Sequence, residues 1–347
     1  MIKIAFQTKS PLCQIDKTED ATSIRNSIIR VKKQKVFIRN KHGARMPLSV
    51  PIYTGNGFRG MLRRETMAVM LEALAKNVKD DEKLLGSPED YHLMNSGGGN
   101  LYQEQSFDIE DEVRRLNPQI SLFGASLAIK GKIRVSNFIP FEKNLDDEVY
   151  YQFYESEKGN VFSSILANTT VVVRDGILDR DKNSQYLTQE QIQEWLEKSD
   201  ANIKARAKDR NSEEEEEDDK KTKTKKQTIR GVIDREYVAV GIDFFGGISE
   251  REKLTEVEKG LLILGLEKAI LNNLGSTSAN DFGKVEYKIT IDEDSSIITE
   301  VNEYGACTIS KRNYSKEMKK CIEETKDFLS NISKENFEMT NILMKKT

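Results

Sequence analysis

Residues 53–65 read YTGNGFRGMLRRE and combine a glycine-rich turn with the start of a helix. The glycines stand at G-x-G-x-x-G spacing, as Gly55, Gly57 and Gly60. From Phe58 to Ala75 apolar residues recur at helical spacing, and Thr54 is placed to cap the first turn. Glycine N–H groups can approach an anion closely, and a helix start adds partial positive charge. The stretch therefore predicts an anion-binding turn in front of a long helix.

The same glycine spacing occurs in dinucleotide-binding folds. Such a site also needs a parallel βαβ unit and an acidic residue about 20 positions further on, at the end of a strand. Here Asp80 and Asp81 stand at that distance, but no apolar strand leads into them. The motif also lacks the Gly-Lys-Ser/Thr ending of a P-loop. We therefore expect no nucleotide cofactor, and the turn favours a phosphate chain.

Charge supports a polyanionic ligand. The whole chain carries a formal charge of −3, but residues 21–64 contain eleven Lys or Arg and no Asp or Glu. Outside that window 43 basic residues remain against 57 acidic ones, a balance of −14. A basic segment on an acidic body is typical of phosphate-backbone binding. The alternative is a basic face that docks an acidic neighbour, including another copy of the chain.

The arginines after the glycines have two interpretations. Spacing of four places Arg59 and Arg63 on one helical face, where they add fixed charge to the predicted anion site. In the alternative, the glycines only permit tight packing of helix on sheet, and the arginines are solvated.

Several classes of protein are not indicated. The three cysteines lack C-x-x-C spacing and only two histidines are present, so the sequence predicts neither a metal site nor a disulfide framework. No apolar run approaches the ~18 residues of a membrane span, and the first residues lack the layout of a signal peptide. We expect a cytoplasmic protein without membrane contact.

The order of predicted elements is strand, helix, strand, strand, helix, strand. They fall at residues 2–8, 58–75, 127–135, 229–245, 254–274 and 282–291, with Gly275 as the expected cap of the second helix. This order predicts an α+β, ferredoxin-like βαββαβ palm, with an antiparallel sheet, two helices on one face and large inserted loops.

The domain division follows from that order. Residues 1–140 and 229–295 together form the palm, which includes a basic excursion at 21–50. Residues 141–228 are an insertion that ends in a disordered charged loop at about 199–228. Residues 296–347 form a C-terminal strand and a helical tail.

Three segments carry a resemblance to a known family. They are VPIYTGNGFRGMLRRE at 50–65, NPQISLFGASLAIKGKIRVSNFIP at 117–140 and LGSTSANDFGKVEY at 274–287. In this order they resemble motifs of the RAMP superfamily of CRISPR-associated proteins, and the chain is most similar to the Cas-seven backbone subunit in its type IV form. The third segment departs from the pattern, because Asn280 and Asp281 stand where the family usually carries a basic residue.

The resemblance implies a CRISPR RNA-binding backbone subunit that polymerises along the guide, with residues 141–228 as a possible thumb. Implied partners are the CRISPR RNA, target nucleic acid through guide pairing, other copies of the chain in a helical filament, and other effector subunits. No catalytic residue, metal or cofactor is expected. Residues assigned to RNA are Arg25, Arg30, Lys32, Lys33, Lys35, Gly55, Asn56, Gly57, Phe58, Arg59, Arg63, Gly283 and Lys284. Phe123, Phe244 and Phe245 are further stacking candidates, although Phe123 and Phe245 fit a core better.

Two nuclease hypotheses and one non-nucleic-acid hypothesis stay open. Asp16 and Asp20 lie where type III relatives carry an acid that cleaves target RNA with a metal ion. His42, in a basic context, fits the general acid–base of a guide-processing endoribonuclease. A protein-only scaffold is the third alternative.

Overall fold

The computed structural model describes residues 1–15, 28–39, 45–78, 87–97, 107–125, 129–140, 166–174, 229–275 and 281–343, together with 188, 190, 191, 193, 194 and 197. The chain divides into two compact units. The first comprises Met1–Asp16, Arg30–Ala167 and Glu236–Thr347, and the second comprises Lys17–Ile29 and Asn168–Arg235. Residues 296–347, expected as a separate part, belong to the first unit.

The described strands and helices have the following bounds. The strands are β1 (Ile2–Thr8), β2 (Ile28–Ile29), β3 (Lys33–Arg39), β4 (Arg45–Pro51), β5 (Gly124–Ala125), β6 (Ile129–Lys130), β7 (Ile133–Val135), β8 (Ile139–Pro140), β9 (Leu166–Arg174), β10 (Ile229–Val238), β11 (Asp243–Glu250), β12 (Val285–Thr290), β13 (Ser296–Val301) and β14 (Cys307–Asn313). The helices are α1 (Gly55–Asn77), α2 (Pro88–Ser96), α3 (Phe107–Leu116), α4 (Pro118–Phe123), α5 (Glu256–Ala269), α6 (Lys316–Ser330) and α7 (Met339–Leu343).

A seven-stranded antiparallel sheet organises the first unit. Its strand order is β14-β13-β12-β1-β11-β7, and β8 also pairs with β11. The elements β1, α1, β7, β11, α5 and β12 follow one another in the predicted order. The α+β class with an antiparallel sheet is therefore confirmed.

The main core lies between this sheet and the helices. Alternation along β1 turns Ile2, Ile4 and Phe6 inward. The ring of Phe6 stacks on that of Phe244, with centroids 5.1 Å apart. Helices α1 and α5 cross closely, because a Cβ on Gly265 would lie only 2.2 Å from Oγ1 of Thr66.

Strands β3 and β4 form a ribbon over the opposite face of the sheet. Val36 and Val50 of the ribbon pack with Ile139 and Phe245 in a second apolar cluster. Phe244 faces the main core while its neighbour Phe245 faces this cluster, as the pleat of a strand requires. Within the basic segment, expected as an extended excursion, the described strands β3 and β4 form a packed two-stranded ribbon.

The second unit contains a three-stranded sheet. Its order is β2-β10-β9, and β2 runs parallel to β10 through the pairs Asp234↔Ile28 and Arg235↔Ile29.

Two predicted strands are divided in the structure. Residues 229–245 are not one strand: β10 ends at Val238, Gly241 turns the chain with φ of +84°, and β11 begins at Asp243. Only β11 enters the large sheet. Within 127–135 the described residues form the short strands β6 and β7.

Two helical predictions also need correction at their ends. Helix α5 ends at Ala269 with Ile270 as its cap, so Gly275 is not the cap. Helix α1 begins at Gly55, earlier than the apolar pattern indicates. After β12 the sheet gains two further strands, β13 and β14, before the predicted helical tail appears as α6 and α7.

Several predictions fall outside the described residues: those for Asp16, Asp20, Arg25 and His42, and the charged loop at 199–228. Most of the 141–228 insertion also lies outside them. Among the described helices, none is long and apolar enough to cross a membrane.

Candidate nucleic-acid interface

The start of α1 is held by side chains from two other segments. Thr54 caps the helix by accepting from the N–H of Gly57 at 3.2 Å. The Gln14 amide brackets Thr54, accepting from its N–H at 2.6 Å and donating to its Oγ1 at 2.7 Å. Oδ1 of Asn137 accepts from the N–H of Gly55 at 2.9 Å. The N–H groups of Gly55 and Gly57 are thus used within the fold and do not form the open anion-binding turn that the sequence predicted.

Close packing explains the first two glycines of the motif. A Cβ on Gly55 would lie 2.3 Å from the carbonyl oxygen of Val135, and one on Gly57 would lie 2.7 Å from Nε2 of Gln14. At Gly55 the obstacle is backbone, so only glycine fits there; a side chain at Gly57 would displace the Gln14 amide that brackets Thr54. The motif lies inside α1 beside an antiparallel sheet, which also disagrees with a dinucleotide site.

The three segments that carry the family resemblance meet at this helix start. Tyr53 and Phe138 exchange backbone hydrogen bonds of 3.0 and 2.8 Å. The Tyr53 side chain also forms a hydrogen bond with the backbone of Gly275, in the third segment. Burial raises the pKa of Tyr53 to about 12.

Arg63 is a buried structural residue. It is 6% exposed, and its Nη2 donates to the carbonyl oxygens of Phe123 and Gly124 at 2.5 and 2.7 Å. Gly97, at the end of α2, lies against the guanidinium, since a Cβ there would be 1.5 Å from Nη1 of Arg63. Burial, with a smaller contribution from the charge of Arg59, lowers the pKa of Arg63 to about 10. The sequence correctly placed Arg59 and Arg63 on one face of α1, but Arg63 faces inward and does not offer its charge to a ligand.

Arg59 reaches the same turn and is partly exposed. Its Nη2 also donates to the carbonyl oxygen of Phe123, while its Nε is buried without a hydrogen-bond partner. Burial lowers the pKa of Arg59, and the nearby charge of Arg251 lowers it further.

The aromatic stacking candidates are core residues. Phe58, Phe123, Phe244 and Phe245 are all 2% exposed or less. Phe58 contacts Phe138, with ring centroids 5.0 Å apart. Base stacking on Phe58 or Phe244 therefore does not fit the structure.

Arg64 is a residue that the sequence analysis did not select. It is exposed on α1, and its Nη1 lies 3.6 Å from where a Cβ of Gly60 would stand. Its charge also lowers the pKa of Tyr53, which places it toward the helix start. Asn56 is exposed eight positions earlier on the same face. Neighbouring residues of a helix point in different directions, so Arg64 lies outside the buried face that contains Leu62 and Arg63.

The outer face of the β3–β4 ribbon is basic and aromatic. Lys33, Lys35 and Phe37 alternate with the buried Val36, so they share the face directed away from the sheet. Lys33 forms an ion pair with Glu236 at 2.9 Å, Lys35 is exposed, and Phe37 is 57% exposed.

The ribbon is joined to the start of α1. Nδ2 of Asn137 donates to Oε1 of Gln34 at 2.8 Å, and the same Asn137 binds Gly55. The N–H of Lys32 donates to the carbonyl oxygen of Gln14 at 2.9 Å. Arg30 is exposed at the end of β2. We call the exposed residues Lys35, Phe37, Asn56 and Arg64 the outer exposed set.

In the second glycine turn, Gly283 and Lys284 both contact other groups of the protein. The N–H of Gly283 donates to the carbonyl oxygen of Pro11 at 2.8 Å. The ammonium of Lys284 pairs with Asp281, and its side chain is only 18% exposed. The acid at the position where the family usually carries a base thus neutralises the lysine predicted to contact RNA.

Comparisons with known proteins find similar chains among solved structures. No family model and no curated protein matches the sequence. Among solved structures, a chain titled "Type IV-B CRISPR Complex" is similar with a TM-score of 0.48 and 16% sequence identity, over 84% of this chain and 91% of that chain.

Proposed function

We propose that this chain is a CRISPR RNA-binding backbone subunit of a Class 1, type IV effector complex. In this proposal it polymerises along the guide, contacts further effector subunits, and presents the guide to target nucleic acid. The order of the three resembling segments supports the family. The outer exposed set supports a nucleic acid as the ligand.

The observation that carries the proposal is the pairing of Lys35 with Phe37 on the ribbon. Leaving a large aromatic side chain in water forfeits roughly 1.5–3 kcal/mol of burial energy. An exposed aromatic beside an exposed cation is the arrangement that single-stranded nucleic acids use, with a base on the ring and a phosphate on the charge. Phe37 replaces the buried phenylalanines as the stacking residue.

In the proposed mechanism the protein supplies the affinity for RNA, and base pairing supplies the sequence specificity. Lys35 and Arg64 neutralise phosphates and release counterions, Phe37 stacks on a base, and neither contact reads sequence. Sequence recognition comes from pairing between guide and target. The proposed role is binding rather than catalysis.

RNA binding by purified protein tests this proposal. The double variant Lys35→Gln/Phe37→Ala is expected to weaken binding of a single-stranded RNA about tenfold and to reduce the slope of log K against log salt by about one. Lys76→Gln, an exposed residue in the last turn of α1, is the matched control and should bind like the unchanged chain. Equal affinity of the double variant and the control would contradict the proposal.

A nuclease assay tests the alternative. Labelled repeat RNA should stay intact with the purified chain. Cleavage that disappears in His42→Ala, or in Asp16→Asn with Asp20→Asn, would replace the binding role with an endoribonuclease.

A further inference from the structure

Two arginine side chains contact the turn that follows α4, and the backbone of a third arginine lies beside it. Arg59 and Arg63 both donate to one neutral acceptor, the carbonyl oxygen of Phe123. A Cβ on Gly131 would lie 2.6 Å from the carbonyl carbon of Phe123, so the next strand passes directly beside this turn. The N–H of Arg251 donates to the carbonyl oxygen of Lys132 at 2.7 Å, which places Arg251 beside the same turn.

Within the described part of the chain, none of the three arginines has a carboxylate within ion-pair distance. Glu110 and Glu252, the carboxylates near this turn, both pair with Arg114. The carbonyl end of α4 offers at most about half a negative charge. Nε of Arg59 is buried without a partner, and Nη1 of Arg59 makes no hydrogen bond to any described residue.

We propose that Arg59 and Arg251 bind a phosphate group at this turn. A guanidinium fork suits phosphate oxygens, and a phosphate would give Arg59 and Arg251, whose charges act on each other, a shared ion-pair partner. Arg63 takes no direct part in this binding, because it is buried and its Nη2 already donates to the carbonyl oxygens of Phe123 and Gly124. The phosphate comes either from a nucleic-acid backbone or from a free phosphate. Only the first source rests on the proposed function.

Thermal unfolding of the full chain in inorganic phosphate tests the site. At equal ionic strength, phosphate in place of chloride should raise the Tm of the unchanged protein by roughly 2 °C at about ten times its Kd. Arg251→Gln should lose that rise while its Tm in chloride stays the same, because the side chain is exposed. Arg115→Gln, an exposed arginine on α3, is the matched control and should keep the rise. A full rise in Arg251→Gln, or no phosphate-specific rise in the unchanged protein, would overturn the site.

RNA binding by the same variants identifies the source of the phosphate. If a backbone phosphate occupies the site, Arg251→Gln should weaken single-stranded RNA binding about fivefold and lower the salt slope by about one. If the phosphate effect is lost and RNA affinity is unchanged, the ligand is a free phosphate and the site stands. Loss of RNA binding in Lys35→Gln/Phe37→Ala with no effect of Arg251→Gln in either assay removes this site and leaves the proposed function intact.

Discussion

Arg63 and Phe123 contact each other twice. Nη2 of Arg63 donates to the Phe123 carbonyl oxygen at 2.5 Å, and the guanidinium carbon lies 5.6 Å from the centroid of the Phe123 ring. One buried side chain therefore fixes both the backbone and the ring of the phenylalanine-glycine turn.

Replacing Arg63 should destabilise the fold more than it affects ligand binding. Arg63→Met removes the buried donor to the Gly124 carbonyl oxygen and one of the two donors to that of Phe123, and a lost charged hydrogen bond in a buried place costs about 2–3 kcal/mol. Urea unfolding measures the loss. The neighbouring Arg64→Met is the control, expected within about 0.5 kcal/mol of the unchanged chain because Arg64 is exposed. Equal stability of the two variants would show that Arg63 is not a structural residue.

Gly265→Ala should push α1 and α5 apart. The new Cβ would stand 2.2 Å from Oγ1 of Thr66, and overpacking of this kind typically costs about 1–3 kcal/mol. Gly60→Ala is the helical control: its Cβ would stand 3.6 Å from Arg64, so it should be neutral or stabilising by up to about 1 kcal/mol. Adding Thr66→Ala should recover part of the loss in a double-mutant cycle. Additive free energies of unfolding would contradict the contact.

Gly283 and Gly241 both have a left-handed backbone, but only Gly283 also lacks space for a side chain. Their φ angles are +83° and +84°, but a Cβ on Gly283 would lie 1.8 Å from the Leu274 carbonyl oxygen, whereas one on Gly241 meets nothing within 4 Å. Gly241→Ala should therefore cost only the left-handed strain of about 1–2 kcal/mol. Gly283→Ala should cost clearly more, measured by the same denaturant titration. Similar losses would mean that the second glycine turn relaxes to admit a side chain.

Tyr53 should make the fold sensitive to alkali. Its pKa is raised from 10.0 to about 12 by burial, so the folded chain holds the phenolic proton more tightly than the unfolded chain. The contribution of Tyr53 to the free energy of unfolding is complete below about pH 10. It declines as pH rises toward 12, by about 2–3 kcal/mol in total.

The variant Tyr53→Phe isolates this contribution. Denaturant titrations across that pH range should show a smaller alkaline decline in the variant than in the unchanged chain. Parallel curves would assign the decline to other groups.

The sequence predicted the sheet and helices well where apolar periodicity was strong. The buried residues Leu62, Met70 and Leu74 of α1 match the predicted face. The predicted cap Thr54 is confirmed, although the apolar pattern begins only at Phe58 and glycine has low helix propensity. Contacts from Asn137 and Val135, far along the chain, fix that first turn.

The candidate site was predicted less well, since spacing shows which residues share a face but not where that face points. Arg59 and Arg63 share a face as predicted, yet the face turns toward the loop after α4. Lys284 illustrates the second limit: its partner Asp281 lies three positions away, and only the left-handed backbone of Asp281 reveals the turn that joins them.

The central strand of the sheet has a consequence for synthesis of the protein. β1 is made well before its two partners, β11, which it pairs through Ile2↔Ile248, and β12, which it pairs through Lys3↔Thr290. At translation rates of ~5–20 residues per second, β1 waits roughly 12 to 50 s before its first neighbour in the sheet leaves the ribosome. During that interval both backbone edges of β1 lack their hydrogen-bond partners, so the nascent chain should be a client of ribosome-associated chaperones.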